Sequence, residues 1–169
     1  MIRFIFVAAA LALAACGNNS SVMDGMENAE PTSSIPGLGR TVQEQPQTLP
    51  SGLQIQFTRR GANQSLPQPT MAANALVHYE GSLVEGGEVF DSSFARNEPA
   101  EFPLARVVPG FAEAITQMRP GDEVIATFPG SLGYGAAGSG PIPPNAALRF
   151  RIALLAFQEP GGQPVSAPQ

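Results

Sequence analysis

Three side chains that suit the binding of a polar amide lie on two predicted strands joined by a glycine turn. Tyr79 lies on the run 77–83, and Phe90 and Asp91 lie where the chain returns after residues 85–87. The turn has the sequence Glu-Gly-Gly, which favours a hairpin because glycine adopts positive φ at little cost. Aromatic walls with one acid fit an apolar ligand that carries a polar amide.

A second candidate region is the segment 130–145, which contains five glycines and three prolines. A connection of this length without regular structure inside a compact domain is usually functional. It carries Tyr134 and Ile142, two side chains that a surface loop does not need. Taken one at a time, each aromatic residue is more simply explained as part of a core, and Asp91 as a turn or capping acid.

Alternating apolar and polar residues predict the strands that must position these side chains. The predicted strands cover residues 53–58, 75–80, 89–92, 123–128 and 147–158. Residues 102–104 are predicted to form a further short extended piece. Phe111, Ile115 and Met118 recur at spacings of four and three, which predicts one short helix over 111–118. The order β-β-β-α-β-β predicts an α+β fold in which an antiparallel sheet covers the apolar face of that helix.

The composition argues against several classes of function. The chain has 169 residues and a formal net charge of −5, and its nine basic residues are all arginine. They form no long basic run, so nucleic-acid binding has no support. The single histidine, His78, and the single cysteine, Cys16, are far apart in the sequence, which argues against a metal site.

The N-terminus has the features of an export signal. Arg3 precedes an apolar run over 4–15 that is too short to span a bilayer. Residues 13–16 (Leu-Ala-Ala-Cys) resemble the cleavage box of bacterial lipoproteins, and an ordinary secretory signal is the alternative. The resemblance implies a signal peptide at 1–15, a lipidated Cys16, and a protein anchored to a membrane of the bacterial cell envelope, facing the periplasm.

Three further segments follow from the composition. Residues 16–50 are weakly apolar without a sustained period, which predicts a flexible tether. Residues 51–159 are the predicted folded domain. The Pro/Gly-rich residues 160–169 are predicted to be a disordered tail.

The folded part resembles the FKBP-type peptidyl-prolyl cis/trans isomerases. The resemblance rests on the runs 77–83 (Val-His-Tyr-Glu-Gly-Ser-Leu) and 87–93 (Gly-Glu-Val-Phe-Asp-Ser-Ser), on Tyr134-Gly135, and on 142–144 (Ile-Pro-Pro). It implies a curved antiparallel β-sheet wrapped around one short central α-helix, with a binding pocket between the two.

The resemblance also implies acceleration of X-Pro isomerisation during the folding of exported proteins, without metal or cofactor. The X-Pro bond isomerises through a twisted, less polar amide, so an apolar site that binds the twisted form lowers the barrier. Proline-containing polypeptides are the implied partners, and macrolide inhibitors are further implied ligands. The implied catalytic residues are Asp91, Tyr134 and Phe90, and the implied substrate-binding residues are Tyr79, Phe102, Val107, Val108, Phe111, Ile142 and Phe150.

The sequence departs from better-known family members at three positions. Phe111 stands where tryptophan is common, and Ala100 and Leu132 stand where other members carry aromatic residues. A weakly catalytic chaperone or proline-peptide binding module on the same fold is therefore the alternative function. Since no basic residue is expected in the lining, we predict a preference for proline preceded by a bulky apolar residue, because a charge would lose its water without gaining a partner.

Overall fold

A computed structural model describes residues 35–168, so the predicted signal peptide, Cys16 and the first part of the predicted tether lie outside the described residues. No helix within 35–168 is long and apolar enough to cross a bilayer. The helices are α1 (Ser93–Arg96) and α2 (Pro109–Thr116), with 3-10 turns at Leu104–Arg106, Gly130–Leu132 and Gly135–Ala137. The strands are β1 (Arg40–Thr41), β2 (Gln47–Thr48), β3 (Gln54–Arg60), β4 (Asn74–Leu83), β5 (Val89–Ser92), β6 (Ala100–Pro103), β7 (Glu123–Phe128), β8 (Leu148–Gln158) and β9 (Val165–Ser166).

The strands form one antiparallel sheet in the order β1-β3-β7-β8-β4-β5, with β2 also paired to β3, β6 to β4 and β9 to β8. The longest pairing, β4 with β8, places Gly81 opposite Phe150. The pairing of β4 with β5 places Gly81 opposite Asp91 as well. The predicted α+β fold, an antiparallel sheet with one main helix, is confirmed, and its register brings three predicted site strands side by side.

Helix α2 packs its apolar face on the sheet, as predicted, although it begins and ends two residues earlier than expected. Pro109 takes the first helical position, where a missing N–H costs nothing and the fixed φ suits the helix. Phe111 and Ile115 are buried, and Met118 is fully buried just beyond the helix end. The backbone N–H of Met118 donates to the Ile115 carbonyl in a tightened last turn, so the residue keeps its place on the buried face.

The predicted glycine turn between β4 and β5 is also present. Gly86 and Gly87 have φ of +78° and +69°, conformations that side-chain-bearing residues rarely adopt. The turn is closed by a hydrogen bond of 2.9 Å from the Leu83 N–H to the Glu88 carbonyl. The hairpin therefore returns the chain so that β5 lies along the edge of β4.

Two predicted boundaries are wrong within the described residues. β1 and β2 lie in the predicted tether yet pair with β3, and Glu44 between them forms a two-bond ion pair with Arg60 on β3, at 2.7 and 2.8 Å. β9 lies in the predicted disordered tail yet pairs with β8. Strands of two residues have no measurable period, and backbone hydrogen bonds to a distant strand leave no pattern in the sequence.

Candidate functional site

The predicted site residues come together around one cavity of about 460 Å³ between α2, the β4–β5 hairpin and the loop 130–145. All ten predicted catalytic and substrate-binding residues line it. They are Tyr79, Phe90, Asp91, Phe102, Val107, Val108, Phe111, Tyr134, Ile142 and Phe150. The two departures Ala100 and Leu132 are not among its lining residues; both pack against the hydrophobic core instead.

Aromatic rings in edge-to-face contact form the walls and floor of the cavity. The Phe111 ring, on the first turn of α2, lies 5.2 Å from Phe150, 5.7 Å from Phe102 and 6.0 Å from Tyr79, measured between centroids. Phe90 lies 5.7 Å from Phe150 in the same geometry. Each such contact adds to the stability gained from burial. The cluster is therefore a rigid apolar surface, with the largely buried Phe111 as its floor.

A glycine on β4 makes room for two of these rings. A Cβ added at Gly81 would lie 2.6 Å from the Phe90 ring and 2.7 Å from the Phe150 ring, closer than van der Waals contact allows. The close approach of these rings to the backbone depends on the missing side chain. Gly81 thus sets the positions of two predicted site residues, although it is not itself among the lining residues of the cavity.

Asp91 is held by two donors from its own domain. Its Oδ2 accepts a hydrogen bond from the Tyr79 hydroxyl, and its Oδ1 accepts one from Arg96 Nη1 at 2.5 Å. Arg96 Nη2 also donates to the Tyr79 oxygen at 3.2 Å. The carboxylate therefore has a fixed orientation at the cavity wall.

The same contacts shift the pKa values of Asp91 and Tyr79. Burial raises the pKa of Asp91, but the hydrogen bonds from Tyr79 and Arg96 and the guanidinium charge outweigh it, so this pKa lies below its ordinary value. Burial, followed by the hydrogen bond to Asp91, raises the pKa of the Tyr79 hydroxyl. At neutral pH the site therefore holds an ionised carboxylate and a neutral phenol.

Sequence reasoning missed Arg96 because it lies on an unpredicted one-turn helix. Ser92 caps α1 by accepting from the Ala95 N–H at 3.2 Å, and Asn97 ends it with a φ of +52°. A serine followed by a short segment and an asparagine is a recognisable capping pattern. This helical turn brings Arg96, five residues after Asp91, back to the carboxylate.

Several donors of the cavity lining have no partner among residues 35–168. Two of them are the Val108 backbone N–H, at the N-cap of α2, and the Tyr134 hydroxyl. Tyr134 is 38% exposed. Its loop is closed by hydrogen bonds in both directions between Ser139 and Ile142, and by the Asn145 N–H to the Gly135 carbonyl at 2.8 Å. Both donors are thus available to the carbonyls of a bound peptide.

The lining includes one basic residue, Arg106, which contradicts the expectation that none lies there. Arg106 ends the 3-10 turn Leu104–Arg106 and directly precedes the cavity residues Val107 and Val108. The sequence around Arg106 has no hydrophobic period, so the direction of its side chain is set by the 3-10 turn and could not be predicted. The predicted preference for a bulky apolar residue before proline, which required an uncharged lining, is therefore not supported by this cavity.

A larger groove of about 620 Å³ lies elsewhere, on the sheet face formed by residues such as Gln56, Glu80, Ser82, Thr127 and Arg149. It has no aromatic wall and contains none of the ten predicted site residues. The smaller aromatic cavity is therefore the better candidate site. In the part of the chain that the structure describes, no group of three histidine, cysteine or acidic residues is arranged to hold a metal ion.

Comparison with known proteins fits this geometry. The family of FKBP-type peptidyl-prolyl cis-trans isomerases matches residues 67–155, just over half of the chain. The chain belongs to this family. The match begins before β4 and ends within β8, so it contains all ten residues that line the FKBP pocket and were predicted from the sequence.

Individual relatives support the assignment. The chain is 42% identical over 113 residues to the peptidyl-prolyl cis-trans isomerase Mip of Coxiella burnetii. The aligned segment covers 66% of this chain and 47% of that protein. It is 44% identical over 106 residues to the FKBP-type 22 kDa peptidyl-prolyl cis-trans isomerase of Escherichia coli, and this segment covers 62% of this chain and 50% of that protein. The chain therefore spans about half the length of the curated relatives that it matches.

Solved structures share the fold. The crystal structure of FkpA from Escherichia coli aligns with a TM-score of 0.61 at 32% identity, covering 73% of this chain and 53% of that one. The crystal structure of a peptidyl-prolyl cis-trans isomerase from Pseudomonas syringae aligns with a TM-score of 0.60 at 28% identity, covering 75% of this chain and 84% of that one.

Proposed function

We propose that the protein is a peptidyl-prolyl cis-trans isomerase and that the cavity above Phe111 is its active site. The observation that carries the proposal is one cavity with aromatic walls that contains one ionised carboxylate and the unpartnered donors of Val108 and Tyr134. Family membership supports the same activity. The substrate is an X-Pro segment of a polypeptide.

The apolar wall supplies the main catalytic effect. Planar amides are stabilised by resonance, and the barrier to rotation is about 18–20 kcal/mol. The twisted amide is less polar than the planar one, so exclusion of water by the rings of Phe102, Phe111 and Phe150 favours the twisted form. A site that binds the twisted amide more tightly than the planar amide lowers the barrier by that difference.

The polar groups orient the substrate. The Val108 N–H and the Tyr134 hydroxyl donate to carbonyls on either side of the prolyl ring, which lies over Phe111. Each carboxylate oxygen of Asp91 accepts a hydrogen bond, from Tyr79 or from Arg96, which fixes the orientation of the group; its role is electrostatic, with its negative charge facing the rotating amide. No proton transfer is needed.

A prolyl isomerisation assay on the full chain tests this proposal. Wild type should accelerate cis-to-trans conversion of a Leu-Pro peptide, and Tyr134→Phe should lower catalytic efficiency about fivefold, since one hydrogen bond contributes about 1 kcal/mol net. Thr41→Val, which removes an exposed hydroxyl on β1, is the matched control and should change nothing. Peptide binding by wild type without any rate enhancement would instead establish the alternative, a proline-peptide binding module or chaperone.

We further propose that Cys16 is lipidated and that the domain acts on exported proteins at the bacterial cell envelope. The support is the Leu-Ala-Ala-Cys sequence at 13–16, after an apolar run of signal-peptide length. Cys16→Ser should abolish incorporation of labelled fatty acid and release the domain from the membrane fraction. Equal labelling of variant and wild type would refute the anchor and leave an ordinary secretory signal as the explanation.

Macrolide inhibitors are proposed as competitive ligands of the same cavity. Phe111 offers less aromatic surface than tryptophan would at the floor. At about 25 cal/mol per Å², the loss of tens of Å² of contact weakens binding by on the order of 1 kcal/mol. A competition titration in the same assay measures this affinity.

A further inference from the structure

Arg106 is the feature of the cavity that the proposed mechanism does not use. It lines the cavity, it is exposed, and within residues 35–168 its guanidinium makes no ion pair or hydrogen bond. The other arginine near the cavity, Arg96, is engaged by Asp91 and Tyr79. Arg106 is therefore the cation at this site that can pair with a ligand.

Its position in the chain relates it to the substrate. Arg106 stands two residues before Val108, whose unpartnered N–H is the donor proposed to hold a carbonyl beside the prolyl bond. A peptide held by that N–H passes over the 3-10 turn that ends at Arg106. From this position the long Arg106 side chain can extend toward the residues that flank the prolyl bond.

The electrostatics of the site also favour an acidic residue in a bound peptide. Asp91 is paired with Arg96, so Arg106 is the charged residue of the cavity lining that has no partner of opposite charge within residues 35–168. The chain as a whole carries a formal net charge of −5, so it repels acidic peptides at long range. Any attraction for an acidic residue must therefore be local and must depend on the Arg106 side chain.

We propose that Arg106 is a specificity-determining residue that makes the pocket favour X-Pro segments with an aspartate or glutamate next to the prolyl bond. This inference rests on the proposed isomerase function and names its substrate class. It reverses the expectation, drawn from the sequence, that a charge beside the proline is excluded. The neutral aromatic floor still binds the proline ring, and the acid pairs with Arg106 at the rim.

The expected size of the effect is modest because the pair is exposed. Ion pairs at exposed sites change an equilibrium about two- to fivefold, and salt screens them. Catalytic efficiency on a glutamate peptide should therefore exceed that on the glutamine analogue by about this factor at low ionic strength. At about 0.5 M salt the advantage should largely disappear.

The test is the ratio of catalytic efficiencies for paired peptides that differ by glutamate or glutamine, placed directly before or directly after the proline. The full chain is used in a protease-free assay, so that the protease's own preferences do not enter. The ratio is taken within one protein, so a partial loss of folding cancels. Arg106→Gln should bring the ratio to about one, and Arg106→Glu should bring it below one.

Arg40→Gln is the matched control, because it removes the same charge from an exposed arginine on β1 outside the cavity lining. It should retain the wild-type ratio. A wild-type ratio of one in both peptide series, or a ratio that Arg106→Gln leaves unchanged, overturns the inference. A Leu-Pro peptide is measured alongside: turnover there with a ratio of one refutes the role of Arg106 alone, whereas no turnover on any peptide refutes the isomerase function itself.

Discussion

Gly81→Ala is the sharpest test of the pocket geometry, because the change adds one methyl group and removes no chemical function. The new Cβ would lie 2.6 Å from the Phe90 ring and 2.7 Å from the Phe150 ring, whereas ordinary contacts begin near 3.4 Å. Phe150 is enclosed, since it also contacts Phe111 at 5.2 Å and Phe128 at 5.7 Å between centroids. Phe90 is half-buried, so it is the ring that must move.

The effect on stability should be small. Overpacking of this kind costs about 1–3 kcal/mol. Replacing a glycine in a compatible backbone conformation returns about 0.4–1 kcal/mol through the unfolded state, and Gly81 is not among the residues with positive φ. The net loss of unfolding free energy is therefore about 0–2.5 kcal/mol, which leaves a domain of ordinary stability folded.

The effect on activity should be large. A misplacement of about 1 Å at a catalytic site can reduce the rate about a hundredfold. We expect Gly81→Ala to lower catalytic efficiency on a Leu-Pro peptide by about ten- to a hundredfold per folded molecule. The assay is prolyl isomerisation, normalised by the folded fraction from chemical denaturation.

Gly162→Ala is the control for this variant. Its added Cβ makes an ordinary contact of 3.4 Å with the Glu159 side chain, and the residue does not line the cavity. It should keep wild-type activity. If Gly81→Ala is folded and its activity lies within twofold of wild type, the close packing of Phe90 and Phe150 is not what shapes the active site.

Two further predictions concern titration and stability. Because the pKa of Asp91 is lowered in the folded protein, its charge persists through the ordinary aspartate range and is lost only as pH falls through the lowered value; activity should therefore be flat from about pH 5 to 8 and should decline only below the ordinary aspartate pKa of about 3.9. A pH-rate profile with an acid limb between about pH 5 and 7 would contradict an ionised Asp91. Asp122 is fully buried and accepts from the backbone N–H groups of Gly61 at 2.7 Å and Arg119 at 3.0 Å. Asp122→Ala leaves these donors, and the Gln64 amide that donates to the same carboxylate at 2.8 Å, without their acceptor. It should lower the free energy of unfolding by about 2–4 kcal/mol, measured by chemical denaturation, without changing activity per folded molecule; an unchanged midpoint would show that water replaces the carboxylate.

The long strands and the main helix were predictable from the sequence because their burial alternates with the period of the element. On β7, for example, Val124, Ala126 and Phe128 are buried as the alternation requires, and the predicted bounds match the observed strand. The short strands β1, β2 and β9 had no such signal. They are held by pairing with β3 and β8 and by the Glu44–Arg60 ion pair, which are contacts between distant parts of the chain.

The candidate site shows the same difference between residues on regular elements and residues on short turns. Its aromatic residues lie on regular elements or beside glycines, so sequence pattern and family resemblance together located ten of its fourteen lining residues. The two arginines that set its electrostatics lie at the ends of short helical turns, Arg96 on α1 and Arg106 on the turn before α2. A turn of three or four residues has no hydrophobic period, and its direction depends on caps such as Ser92. Charge at this pocket was therefore the property least accessible to sequence reasoning, although the choice among X-Pro substrates depends on it.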